Sequence, residues 1–128
     1  MNGIYINCRA YPFITWILSG AKLYETRTRN TLRALVGQRV ALIETGTGRA
    51  PTVRGYATIT GAERVEYSDT QARKAARILG TTYDILPGRA KIFYRLTDVQ
   101  LCAPYPVPAD RVNHGRAWTT YTTTETEG

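Results

Sequence analysis

The run Gly20-Ala21-Lys22-Leu23-Tyr24-Glu25-Thr26-Arg27 places an amine, a carboxylate and a guanidinium in one short segment, directly behind a glycine suited to stop a helix. An ammonium is a poor base and a poor nucleophile near neutral pH. Lys22 gains either role only if burial or a neighbouring cation lowers its pKa. Arg27 and the positive charge of the chain push in that direction, and Glu25 pushes the other way. Glu25 has three candidate uses: general base for water, proton shuttle for Lys22, or acceptor for an amino group on a base. Arg27 has two, orienting a carbonyl or gripping a phosphate with its planar fork. Tyr24 offers a face on which a base could stack. The same charges could equally form an ion network that pins a strand and does no chemistry.

Side-chain alternation sets a condition on the site. In a regular strand Lys22 and Glu25 point to opposite faces, while Glu25 and Arg27 share one. Lys22 joins them only if the chain is still turning after Gly20, or if a bulge intervenes.

The elements that must position these residues follow from pattern. Gly3 to Cys8 alternates and is rich in isoleucine and tyrosine, which predicts a strand. Pro12 suits a first helical turn, and Phe13, Ile14, Trp16, Ile17 and Leu18 cover most of a helix circumference, which predicts a buried helix ending at Gly20. The charged run then sits in a turn leading into a short strand. Arg39 to Glu44 and Val53 to Thr60 predict a hairpin with a long glycine-containing loop. Ser68 and Gln71 match a capping box for a helix running to Gly80, with Arg73, Lys74 and Arg77 on a basic face. Ala90 to Cys102 predicts a long strand with Ile92, Tyr94 and Leu96 on one face. Pro104, Pro106 and Pro108 predict an extended, sheet-breaking connection. The expected architecture is one α+β domain over residues 1–118, with five or six strands curled into a small barrel and about two helices. A Thr-rich tail, 119–128, is expected to fray.

Composition narrows the partners. A net charge of +7, carried mostly by arginine, leans toward nucleotides or RNA, although the same charge also serves solubility. His114 is the only histidine, and Cys8 and Cys102 follow no metal-ligand spacing. The chain carries no cofactor signature, so the expected chemistry is hydrolytic and uses no metal. The apolar run Pro12 to Leu18 is too short to span a bilayer, and no secretory signal is evident. The expectation is a cytoplasmic protein with reduced thiols and no membrane partner. Thr45, Thr58 and Thr60, near strand ends, are candidate sources of a hydroxyl.

The spacing Gly20-x-Lys22-x-x-Glu25-x-Arg27 resembles the signature of the ASCH family (activating signal cointegrator homology), a branch of the PUA-like β-barrels. Tyr11-Pro12, the apolar helix, and the segments Gly37 to Ile43 and Gly55 to Ile59 are similar to the family's opening and middle strands. The resemblance implies a PUA-like barrel with a cleft beside the motif. It further implies either a metal-independent amidohydrolase that cleaves N(4)-acetylcytidine to cytidine and acetate, or a ribonuclease or RNA-binding module. In the amidohydrolase members a lysine, a threonine and a glutamate are described as catalytic. Lys22 stands at the lysine, whereas Glu25 stands at the threonine, so a threonine nucleophile does not carry over. The family's second carboxylate falls in a stretch that here holds Glu63, Glu66 and Asp69, and Asp69 equally suits a helix start. The site implied is therefore Lys22 and Glu25 as catalytic residues, supported by Arg27, Tyr24, Asp69 and Glu63. Its partner would be a modified nucleoside or base, or RNA.

Overall fold

The computed structural model describes residues 1–66 and 90–123. Its strands are β1 (Asn2–Asn7), β2 (Tyr24–Arg27), β3 (Arg39–Thr45), β4 (Thr52–Glu66), β5 (Ala90–Pro106), β6 (Val112–His114) and β7 (Trp118–Thr120). Helix α1 spans Phe13–Leu18, and a 3-10 turn spans Arg33–Leu35. The strands form one mixed sheet in the order β2-β5-β4-β3-β1-β7-β6. Among the described residues the sheet has seven strands rather than five or six, and it curls without closing into a barrel. The helix expected from Ser68 to Gly80, and Asp69 with it, lies outside the described residues.

The curl comes from the long β4–β5 pair, whose antiparallel register shifts at three places. Each shift inserts a bulge, which bends a strand and increases its twist. β4 pairs with β3 through Thr52 to Thr58, while β5 pairs with β2 through Ile92 to Arg95, so the bent ribbon carries β2 round toward β1. The expected sheet break at the prolines does not occur. β5 continues through Pro104 to Pro106, because Pro104 falls where the register jumps from Gly55–Leu101 to Val53–Tyr105 and no ladder bond is demanded of it. The β6–β7 hairpin carried no sequence signal, since three-residue strands are too short to show alternation. It also corrects the expected fraying from Thr119: Thr119 is fully buried, and Tyr121 donates its N–H to the Met1 carbonyl.

β3 is buried on both faces. Val40 and Leu42 join Ile4, Ile6, Ile59, Tyr94 and Leu96 in the main core, while Ala41 and Ile43 meet Val53, Val107 and Tyr121 behind the sheet. Burying a side chain of this size stabilises by about 1.5–3 kcal/mol. Helix α1 is half-buried rather than buried: only Ile14 and Ile17 are fully covered, and the half-buried rings of Tyr11, Phe13 and Trp16 meet in tilted and edge-on contacts. Six residues make less than two turns, so a full apolar circumference cannot all reach one core. Among the described residues no helix is long and apolar enough to cross a membrane.

Candidate active site

Gly20 adopts a left-handed backbone, φ +84°, which stops α1 and turns the chain. The Gly20 N–H bonds the Ile17 carbonyl at 3.1 Å, and the Lys22 N–H reaches back to the Trp16 carbonyl at 3.0 Å. This is the turn a three-residue site requires. Lys22 lies before β2, so strand alternation does not govern it. Glu25 and Arg27 lie within β2 and share a face. All three line one cleft of about 380 Å3, within the range of small-molecule sites, about 300–1,000 Å3.

The cleft is the seam where the curled sheet nearly meets itself. One wall comes from β2 and β5, with Glu25, Thr26, Arg27 and Lys91. The other comes from β1, the end of β3 and the β6–β7 turn, with Tyr5, Asn7, Thr45 and Arg116. Phe13 and Lys22 form the floor between them. β7 pairs with β1 only as far as Ile4, and just beyond that point the Tyr5 carbonyl accepts a 2.5 Å hydrogen bond from the Arg27 guanidinium. A side chain thus ties the seam just past the last β1–β7 register pair.

The charges divide unevenly. Arg27 also donates to Glu25 Oε2 at 3.1 Å, and Glu25 Oε1 accepts the Thr26 N–H at 3.1 Å. The Glu25 carboxylate, 6% exposed, is held at both oxygens. Lys22 stands apart from this pair. It is 2% exposed, its Nζ donates to the Tyr24 carbonyl at 2.5 Å, and it lies 5.4 Å from the centre of the Phe13 ring. Among the described residues it makes no salt bridge. An ion network therefore accounts for Glu25 and Arg27 but not for Lys22. Burial pushes the Lys22 ammonium below the usual lysine pKa, Lys91 and Arg27 add to that fall, and Glu25 opposes it. Burial also lowers Lys91, again against the pull of Glu25.

Two expected residues are elsewhere. Tyr24 does not line the cleft: β2 alternation turns its ring to the opposite face, against Phe93 at 5.7 Å with Arg95 at 5.3 Å. Its contribution to the cleft is the carbonyl that holds Lys22. Glu63 is exposed on β4. The β2-β5-β4 register aligns it with Phe93 and Thr26, whereas Glu25 aligns with Tyr94 and Ala62, so the two carboxylates belong to opposite faces. Glu66, the neighbouring candidate, pairs with Arg64 on the surface. Among the candidate hydroxyls only Thr45 lines the cleft. Lys91 and Arg116 are cleft residues without any motif around them. Each is a single basic residue brought in by long-range pairing. Among the described residues there is no cluster of three or more His, Cys, Asp or Glu side chains placed to hold a metal.

Fold and cleft together define a small curled-sheet domain with a lysine-based polar site at its strand seam. The chain is similar in structure to a serine-to-alanine mutant of the ZmASCH protein from Zymomonas mobilis, with a TM-score of 0.60 and 19% sequence identity over 95% of this chain and 89% of that one. The protein has the fold of an ASCH protein, as the spacing of the charged run implied. No family model and no curated protein sequence matches the chain. A fold alone does not fix an activity.

Proposed function

We propose that the cleft hydrolyses the N4-acyl amide of N(4)-acetylcytidine or a related acylated cytosine. The observation that carries this reading is Lys22: a lysine almost wholly removed from water, without a salt bridge among the described residues, at the floor of a cleft of nucleoside-compatible size. Burying an ammonium is costly, and a site that lowers lysine basicity in this way suits proton transfer.

In the scheme, the neutral Lys22 amine takes a proton from a water, whose oxygen attacks the acyl carbon. The carbonyl electron pair moves onto oxygen. The cationic wall, with Lys91 and Arg27, faces that developing charge. The C–N4 bond then breaks as Lys22 returns its proton to N4, and the remaining acid proton leaves through Glu25 or solvent. Cytidine and acetate are the products. Arg27 fixes Glu25, and through the Tyr5 carbonyl it fixes the width of the seam.

The test is release of cytidine and acetate from N(4)-acetylcytidine, with and without chelator, by the wild type and Lys22→Ala. Turnover that survives the chelator and falls by about 10²–10⁴ in the variant is the expected outcome. Unchanged turnover in Lys22→Ala rejects the scheme. The cationic wall also favours a second reading, an RNA-binding module or ribonuclease using the same cleft. That reading requires oligoribonucleotide binding or cleavage, with binding that weakens steeply as salt rises.

A further inference from the structure

The mouth of the cleft carries a group that the hydrolytic scheme does not use. Arg116 sits in the turn between β6 and β7, beside Gly115 at φ +65°. It is exposed, it lines the cleft, and among the described residues its guanidinium has no hydrogen bond or ion pair. The turn that carries it is braced. The Ala117 carbonyl accepts the Tyr5 N–H at 3.0 Å. The Tyr5 hydroxyl bonds Asn113 at 2.6 Å and accepts from Arg111 at 2.9 Å. His114 stacks on Trp118 at 3.9 Å. The hydrogen-bonded hairpin thus sets an arginine at the edge of the cleft, with its fork unpaired among the described residues.

The charged groups that line the cleft differ in exposure, from buried Lys22 and Glu25 to exposed Arg116. Among the described residues the one carboxylate on the walls, Glu25, is already answered by Arg27. Lys22 beside it is covered and poorly able to hold its proton. At the mouth Arg116 is exposed, and its guanidinium is unpaired among the described residues. A wholly neutral acylated nucleoside matches the floor and leaves the mouth unanswered. A ligand with a neutral end and an anionic end matches both, the acylated base inward and the anion outward. Arginine's planar fork fits phosphate oxygens in pairs.

We propose that Arg116 forms a phosphate subsite, so that the preferred substrate is an acylated cytidine monophosphate rather than the free nucleoside. This rests on the reading of the cleft as the site for an acylated cytosine. The phosphate binds at the mouth through charge-assisted hydrogen bonds, and the hairpin supplies a preformed receptor for it.

The experiment compares kcat/KM for N(4)-acetylcytidine with that for its 5′- and 3′-monophosphates, in the wild type, Arg116→Ala and Arg33→Ala. Arg33→Ala removes the same charge from an exposed position that does not line the cleft. Alongside, calorimetry measures binding of cytidine and of each cytidine monophosphate to the same proteins. One monophosphate should exceed the nucleoside by about tenfold in kcat/KM, and its parent should exceed cytidine by a similar factor in affinity. Arg116→Ala should bring both ratios near one, and Arg33→Ala should leave them in place. Which monophosphate gains identifies the ribose position facing the mouth. Turnover with no preference for either monophosphate overturns the subsite and leaves the hydrolase standing. An Arg116-dependent gain in monophosphate binding without turnover supports the subsite and rejects the hydrolase. A gain confined to oligoribonucleotides, or one equally lost in Arg33→Ala, overturns the subsite.

Discussion

Two of the polar clusters among the described residues are built on opposite principles. Behind β3, the Tyr56, Tyr105 and Tyr121 hydroxyls form a chain at 2.8 and 2.7 Å, and burial pushes the Tyr105 phenol above its ordinary pKa. The cluster is neutral, each hydroxyl meets another, and aliphatic and aromatic side chains pack around it. At the seam, by contrast, four basic side chains and one carboxylate among the described residues line the cleft, and open volume stands between the walls. Burial of polar groups is common to both. What separates a packing device from a site is an excess of donors facing room for a ligand.

Three perturbations sharpen that contrast. The largest effect is expected from Glu25→Gln. Removing the carboxylate's charge takes away the nearby negative charge that holds the Lys22 pKa up, so the acidic limb of the pH–rate profile should move to lower pH. Turnover itself should fall by about a hundredfold if Glu25 handles protons. An unmoved acidic limb would show that Lys22 is not the titrating group.

A smaller effect is expected in stability from Lys22→Met, measured by urea denaturation across pH. The folded pKa of Lys22 lies below its ordinary value of 10.5. Between the two values the unfolded chain binds a proton that the folded one does not, so wild-type stability gains with rising pH. The variant lacks that penalty. It should be more stable than the wild type at neutral pH, with the difference narrowing as pH approaches 10.5. A difference constant with pH would mean that Lys22 is not folded at an energetic cost.

The smallest effect is expected from Tyr105→Phe, which removes the hydroxyl joining the other two tyrosines. It should cost about 1 kcal/mol of stability and leave turnover unchanged, checked by thermal melting and the cytidine-release assay. A large loss of turnover would erase the distinction between the two regions.

Much of the local structure was legible in the residues. Ile4 and Ile6, the Ile14–Ile17 face and the Val40 to Ile43 run announced their elements through period and branching, and the Arg39–Glu44 and Val53–Thr60 segments do pair as a hairpin. Gly20 announced a helix stop, and it takes a left-handed backbone there. Lys22 and Glu25, which line one cleft, were visible as a candidate pair because their types and spacing are local. The faces that Tyr24 and Glu63 take were not legible, because a residue's face depends on strand register, which neighbouring strands set. β5's passage through Pro104 was hidden for the same reason, since a bulge is a property of a pair of strands.

The sequence by itself determined the helix stop, the short charged strand behind it and the pairing of Glu25 with Arg27 on one face, because each depends on chain geometry within a few residues. Only the tertiary structure decided that Lys22 is sealed from water, that the sheet curls without closing, and that Lys91 and Arg116 stand at the same cleft as the charged run. Desolvation and enclosure are collective effects. They arise where distant strands meet, and no single segment carries them.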